Sequence, residues 1–189
     1  MIPKIEFRYS MVYDGIWKFK NKPYKFMLNY TKSIEKFWRK KEKKVLIEIQ
    51  KITGLKWKEK VVRCYIITNG RCFSDPLTII YFKDKSRFID TLVHEMIHQI
   101  QIQGGKNFRK WLNYLYKRYP NEDRLTYAHI FLHAVHKKIY LKLFNKKRLD
   151  RDIKICNKYP GYKRAWEIVE KEGEGNIIKD FKKVMNIKN

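Results

Sequence analysis

The stretch TLVHEMIHQIQIQGGKNF, residues 91–108, decides which fold and function are predicted for this chain of 189 residues. Its centre places His94 and His98 four residues apart, with Glu95 directly after the first histidine. On an α-helix, side chains at this spacing lie on one face about one turn apart, so both imidazoles can reach one metal ion. The residues that follow, GGKNF at 104–108, contain no further histidine or carboxylate. The stretch is therefore a complete site, a site completed from elsewhere in the chain, or the remnant of one.

The chemistry of this spacing is that of a zinc hydrolase. Two imidazoles on one helix face can hold Zn²⁺ at about 2.0–2.1 Å, and zinc lowers the pKa of a bound water to about 7. A glutamate beside the first ligand lies near the metal, where it can take a proton from that water and return it to the leaving group. The spacing predicts His94 and His98 as zinc ligands and Glu95 as the catalytic base. The alternative is two surface histidines beside a solvated glutamate.

The remaining histidines are candidates for the missing ligand. All five histidines of the chain lie between 94 and 136, and His129, His133 and His136 follow one another at i, i+4 and i+7. This spacing puts them on one stripe of a helix. If that helix packs across the first, His129 or His133 can complete the site, with His136 as the third choice. The alternative for any single one is a core histidine with hydrogen-bonded partners.

Hydrophobic periodicity and turn residues predict the elements around this helix. Strands are predicted at 61–68 and 77–82, with a tight turn at Asn69-Gly70 that leads into a return strand. Helices are predicted at 33–53, 87–103, 108–119 and 125–144, followed over 145–189 by a basic loop and two short helices. Short strands joined by tight turns, without βαβ alternation, predict an α+β fold with a small antiparallel sheet.

The segment DTLVHEMIHQ, residues 90–99, resembles the metal helix of the SprT-like metallopeptidases, the family that includes the Spartan DNA–protein crosslink proteases. NGRCFSDPLTIIYF, residues 69–82, resembles the hairpin that precedes that helix, and the predicted helix 33–53 matches the family's first long helix. The resemblance implies a zincin-like fold that binds Zn²⁺, with His94, Glu95 and His98 in their usual roles and strand 77–82 lining the substrate cleft. Two features depart from the family: Gly104 stands where its third histidine ligand would be, and the zinc-ribbon module of many relatives is absent.

Composition adds a strong positive charge. The chain carries 44 Lys and Arg against 19 Asp and Glu, a formal net charge of +25. Such a charge indicates a polyanionic partner, most simply nucleic acid; the alternative is a lysine-rich solvated surface that reflects AT-rich codons. Three cysteines without a CxxC pair argue against a disulfide framework. The chain has no apolar run of ~20 residues and no signal-peptide core, so we expect a cytoplasmic or virion-associated protein.

Together these patterns predict three segments: an N-terminal extension at 1–30, a zincin-like domain at 31–144 and a basic helical extension at 145–189. The favoured function is a SprT-like zinc metallopeptidase that hydrolyses peptide bonds near nucleic acid. The alternative is an inactive zincin-fold structural protein, such as a phage virion component, that contacts DNA or acidic partner proteins. A third hypothesis is a DNA-binding module without catalytic activity, whose metal, if present, is structural. The Lys-, Ile-, Asn- and Tyr-rich composition is typical of a phage genome.

Overall fold

The architecture is mixed α and β, as predicted, with a small sheet and many helices. The computed structural model describes residues 1–17, 22–104 and 108–187. The chain divides into two compact units, one of residues 1–47 and 57–99 and the other of residues 48–56 and 100 onward. The elements of the first unit, some of which run on into the second, are β1 (Lys4–Tyr9), α1 (Met11–Ile16), α2 (Tyr24–Arg39), α3 (Glu42–Thr53), β2 (Val61–Ile67), β3 (Phe73–Ser74), β4 (Leu77–Ile80) and α4 (Lys85–Gly104).

The sheet has the strand order β1-β2-β4-β3. β2 pairs in parallel with β1 on one side and with β4 on the other, and only the β3–β4 pair is antiparallel. The prediction of an antiparallel sheet without a βαβ connection was therefore wrong. Parallel neighbours need a long crossover, usually helical, and the chain between β1 and β2 forms α2 and α3.

The turn at Asn69-Gly70 does not close a hairpin between neighbouring strands. β4 lies between β2 and β3, so the chain leaves β2, forms β3 at the sheet edge and returns inward as β4. Gly70 has φ of +122°, a conformation that favours glycine. A Cβ at this position would lie 2.5 Å from Nε1 of Trp17. Glycine is required here because the loop packs against the Trp17 indole. An Asn-Gly pair in the sequence does not distinguish such a loop from a hairpin turn.

The helix predicted at 33–53 is two helices, α2 and α3, with a break at Lys40-Lys41. Arg39 lies at the break and forms ion pairs with Glu35 at 2.5 Å and Glu42 at 2.6 Å. The Glu42 carboxylate also accepts a hydrogen bond from the backbone of Ile5 in β1 at 2.8 Å. Arg39 and Glu42 are thus tied to β1 through the backbone of Ile5, a contact that helical periodicity alone does not reveal.

Helix α4 matches the sequence prediction closely. Asp84 accepts a hydrogen bond from the backbone of Ser86 at 2.8 Å and so caps the first turn. The apolar stripe of α4 is buried along its length, namely Phe88, Ile89, Leu92, Val93, Met96, Ile97 and Ile100. The helix ends at Gly104, the first of the two glycines that predict its end.

The second unit is helical in its described part, with the ends of α3 and α4 and the elements α5 (Phe108–Arg118), α6 (Arg124–Leu143), α7 (Lys146–Cys156), α8 (Pro160–Glu172) and α9 (Glu174–Val184). α6 is buried on every side through its middle, as expected of a helix that is apolar around its circumference, and it packs against α7, α8 and α9. The basic loop predicted after α6 is helix α7, capped by the Asn145 side chain. No helix within the described ranges has the length and apolarity needed to span a membrane.

Candidate metal centre

Helix α4 presents His94 and His98 at its partly exposed side. Their ring centroids lie 5.1 Å apart with the planes at 71°, and both side chains are half-buried while their apolar neighbours in the helix are buried. The apolar stripe of α4 fixes the rotation of the helix, and this rotation sets the two imidazoles one above the other on the adjacent face. The i, i+4 arrangement expected from the sequence is therefore present.

His129, on helix α6, is buried and held in one orientation. Its Nδ1 lies 2.7 Å from the backbone carbonyl oxygen of Leu125. A carbonyl can only accept, so Nδ1 carries the hydrogen and Nε2 keeps the lone pair that a metal would use. An imidazole held in this way by its second nitrogen is typical of metal-binding histidines. Burial lowers the pKa of His129 to about 4, which keeps the ring in the neutral, ligating form.

His94, His98 and His129 form a group that could hold a metal ion. Each offers a ligand nitrogen, and these three atoms all lie within 4.8 Å of one another. Three imidazole nitrogens are a donor set that suits zinc. Zinc would be held by one nitrogen of each imidazole, at about 2.0–2.1 Å.

His133 and His136, the other candidates from the sequence, do not belong to this group. His133 is fully buried and stacks on Trp166, with ring centroids 4.3 Å apart and planes at 13°. His136 is fully buried and stacks on Tyr140 at 4.3 Å. Both histidines thus occupy positions in the aromatic packing of the second unit.

Glu95 is buried beside the two α4 histidines, with 8% of its surface exposed. Burial raises its pKa to about 8. The thiols of Cys64 in β2 and of Cys72 before β3 also have raised pKa values, caused mainly by burial and in a smaller part by the Glu95 charge. The Glu95 carboxyl therefore lies near these two thiols. A carboxyl with a raised pKa beside two imidazoles can exchange protons near neutral pH.

Gln99, one turn after Glu95, connects α4 to the edge of the sheet. Its side-chain amide donates a hydrogen bond to the backbone carbonyl of Ser74 in β3. The resemblance implied that strand 77–82 lines the substrate cleft, but β4 (Leu77–Ile80) is an interior strand and β3 is the edge. Beside Gln99 lies a cavity of about 210 Å³, lined in part by Tyr65 and Leu77. Gln99 was not singled out from the sequence, although its spacing from Glu95 places it on the same face.

Gly104, which stands where the resembling family has a third ligand, is still helical. It is the last residue of α4, and a Cβ there would meet Leu55 at 3.5 Å. Residues 105–107 of the GGKNF segment lie outside the described residues. Comparison with protein-family models, curated proteins and solved structures found no match to this chain.

Proposed function

We propose that this protein is a zinc-dependent metallopeptidase of the SprT-like kind. The observation that carries the proposal is the group of three histidines, His94, His98 and His129, with ligand nitrogens within 4.8 Å of one another and the buried Glu95 between two of them in sequence. This combination supplies both a metal-binding donor set and a base in the arrangement that hydrolysis requires.

Each residue then has a defined task. Zinc, when bound, supplies a water of lowered pKa and polarises the carbonyl to be attacked. Glu95 takes the proton from the attacking water and passes it to the departing amine. Leu125 holds His129 in the tautomer that leaves Nε2 free. The residues that bury Glu95 limit the access of bulk water to its carboxyl group.

A peptide substrate is supported by the edge strand near this helix. Among residues 1–17, 22–104 and 108–187, β3 pairs with β4 alone, and an edge strand can accept an extended peptide as an additional strand. Phe73 of β3 is 44% exposed and offers an apolar contact to such a peptide. The net charge of +25 supports nucleic acid as a second partner, so that the substrate would be a protein held near DNA or RNA.

A non-catalytic structural protein, such as a virion component that contacts DNA or acidic proteins, is the second candidate. It is favoured by the net charge of +25, which suits a polyanionic or acidic partner without any hydrolytic role. In that case the histidines serve as packing residues.

The deciding experiment is the metal content of the purified protein, measured by mass spectrometry beside its Glu95→Gln and His94→Ala variants. We expect about one zinc per chain, retained by Glu95→Gln and lost from His94→Ala. Hydrolysis of an unfolded protein such as casein should then be lost in Glu95→Gln. A folded native protein that takes up no added zinc would reject the peptidase and support the structural protein, and full activity in Glu95→Gln would reject the role of Glu95.

A further inference from the structure

Helix α2 carries lysines on the side opposite to its buried face. Met27, Ile34 and Trp38 are buried. The exposed positions opposite to them are Lys25, Asn29, Lys32, Lys36 and Lys40. At 100° and 1.5 Å per residue these positions fall within an arc of about 80° and extend over about 22 Å. We call Lys25, Lys32, Lys36 and Lys40 the lysine row.

The lysine row has no carboxylate partners among the residues that the structure describes: none of its four ammonium groups forms an ion pair there. The acids closest in sequence, Glu35 and Glu42, are both bound by Arg39, at 2.5 Å and 2.6 Å. The Arg39 guanidinium also donates to the backbone carbonyl of Ile5 at 2.8 Å, so this cluster is tied to the sheet. The positive charge of the row is therefore directed to solvent.

Two exposed aromatic rings flank the row at its N-terminal end. Tyr24 and Phe26 are 54% and 42% exposed and lie on either side of Lys25, each about 100° around the helix. Phe26 packs edge-on against Tyr81 at 5.6 Å, and the Lys22 ammonium lies 6.0 Å from the Phe26 ring centre. These contacts hold the Phe26 ring at the surface. Exposed aromatic faces beside a basic track are the two parts of a surface on which unpaired bases stack.

We propose that the lysine row, with Tyr24 and Phe26, binds single-stranded nucleic acid. The lysines contact successive phosphates while the rings stack on bases. The four lysines of the row can neutralise about four phosphates of one strand along its length of about 22 Å. A single strand fits better than a duplex because the base faces of a duplex are already stacked. The inference rests on the nucleic-acid part of the proposed function and not on peptide hydrolysis.

The first test is fluorescence anisotropy with a labelled oligo-dT of twenty nucleotides across a series of NaCl concentrations. The variant Lys25→Gln/Lys32→Gln/Lys36→Gln/Lys40→Gln is compared with Lys117→Gln/Lys146→Gln/Lys147→Gln/Lys154→Gln, whose four lysines are exposed and whose change in charge is the same. We expect the first variant to lose affinity about tenfold or more at 0.1 M salt, and its salt slope to shrink by about 3, because each neutralised phosphate contributes about 0.7 on a single strand. The control should keep most of its affinity. Equal losses in both variants would mean that binding follows total charge, and would overturn the proposal.

The second test examines the rings and separates this surface from the metal centre. Tyr24→Ala/Phe26→Ala should weaken oligo-dT binding about tenfold or more and leave binding to a duplex of the same length unchanged, because stacking needs unpaired bases. Equal losses on both ligands, or no loss on either, would reject the stacking role. Glu95→Gln should bind oligo-dT like the native protein, so a missing peptidase activity leaves this test intact. Circular dichroism melting of every variant confirms that a lost affinity is not a lost fold.

Discussion

At the scale of single residues, the three histidines of α6 differ in what surrounds them. His129 turns its Nδ1 to the Leu125 carbonyl and belongs to the group with His94 and His98. His133 stacks on Trp166, and His136 stacks on Tyr140. Their positions on one helical stripe did not distinguish them in the sequence. Their neighbours in the structure do, because His129 is a candidate ligand while His133 and His136 pack against aromatic rings.

The first prediction compares His129→Ala with His133→Ala. Loss of a residue that hydrogen-bonds to a metal ligand typically lowers metal affinity by about 10–100-fold. We expect His129→Ala, which removes a ligand itself, to lower zinc affinity by more than this. His133→Ala should keep zinc and instead lower the free energy of unfolding by about 2–4 kcal/mol, because it leaves a cavity against Trp166. Zinc content and chelator competition report the first effect, and denaturant unfolding reports the second. Unchanged zinc affinity in His129→Ala would remove that residue from the ligand set.

The second prediction concerns His136 and acid stability. Burial lowers the pKa of His136 to about 3, with a smaller contribution from the Arg148 charge. Asp152 lies 3.9 Å from Nδ1 and would favour protonation, but burial outweighs it. The unfolded chain takes up a proton near pH 6.5. The contribution of neutral His136 to stability is therefore complete above pH 6.5 and is lost as the pH falls toward 3.

Denaturant unfolding at pH 7 and pH 5 tests this dependence. The native protein should lose about 2 kcal/mol more between these pH values than His136→Gln, which has no proton to gain. The other histidines are common to both proteins, so the difference isolates His136. An identical pH dependence in the two proteins would show that this imidazole is not held neutral in the folded state.

At the scale of elements, the approach of α8 to the start of α6 depends on a glycine. Asp123 caps α6 by accepting from the backbone of Thr126 at 2.6 Å, and the Thr126 hydroxyl donates to the carbonyl of Gly161 in α8 at 3.2 Å. A Cβ on Gly161 would lie 2.9 Å from both the Asp123 carboxylate and Cβ of Leu125. A side chain at position 161 would therefore disturb both the Asp123 cap and the contact between α8 and α6.

The third prediction is that Gly161→Ala lowers the free energy of unfolding by about 1–3 kcal/mol, the usual cost of overpacking. Gly175→Ala is the matched control, since Gly175 is also in a helix and nothing lies within 4 Å of its added Cβ. It should be neutral or stabilise by up to about 1 kcal/mol. Urea unfolding measures both. Equal effects of the two substitutions would contradict the close approach at Gly161.

At the scale of the whole molecule, the formal net charge of +25 is the dominant property. Charge far from zero destabilises a compact chain by self-repulsion. Salt shortens the range of this repulsion, from about 10 Å at 0.1 M to about 3 Å at 1 M. The exposed ion pairs that salt would also weaken are each worth about 0–1 kcal/mol, so relief of repulsion should prevail.

The fourth prediction is that the thermal midpoint of unfolding rises when NaCl is increased from about 0.05 M to about 0.5 M. The two quadruple Lys→Gln variants carry four fewer charges and should show a smaller rise. Scanning calorimetry measures both effects. A midpoint that falls with salt would show that ion pairs contribute more to the fold than self-repulsion costs.

The sequence by itself determined the features that depend on residues close together in the chain. Helix α4, predicted at 87–103, and the shared face of His94 and His98 both follow from spacing within a few residues. The length of α6 and the mixed α and β class were also readable, because apolar periodicity is a local pattern.

Only the tertiary structure decided what depends on distant residues. β1 and β2 pair in parallel although some fifty residues separate them, and the helix predicted at 33–53 is divided into α2 and α3. The tertiary structure also groups His129, and not His133, with His94 and His98, and it buries Glu95. Helical spacing makes neighbouring histidines alike, and only the packing of other elements around them separates a candidate ligand from a core residue.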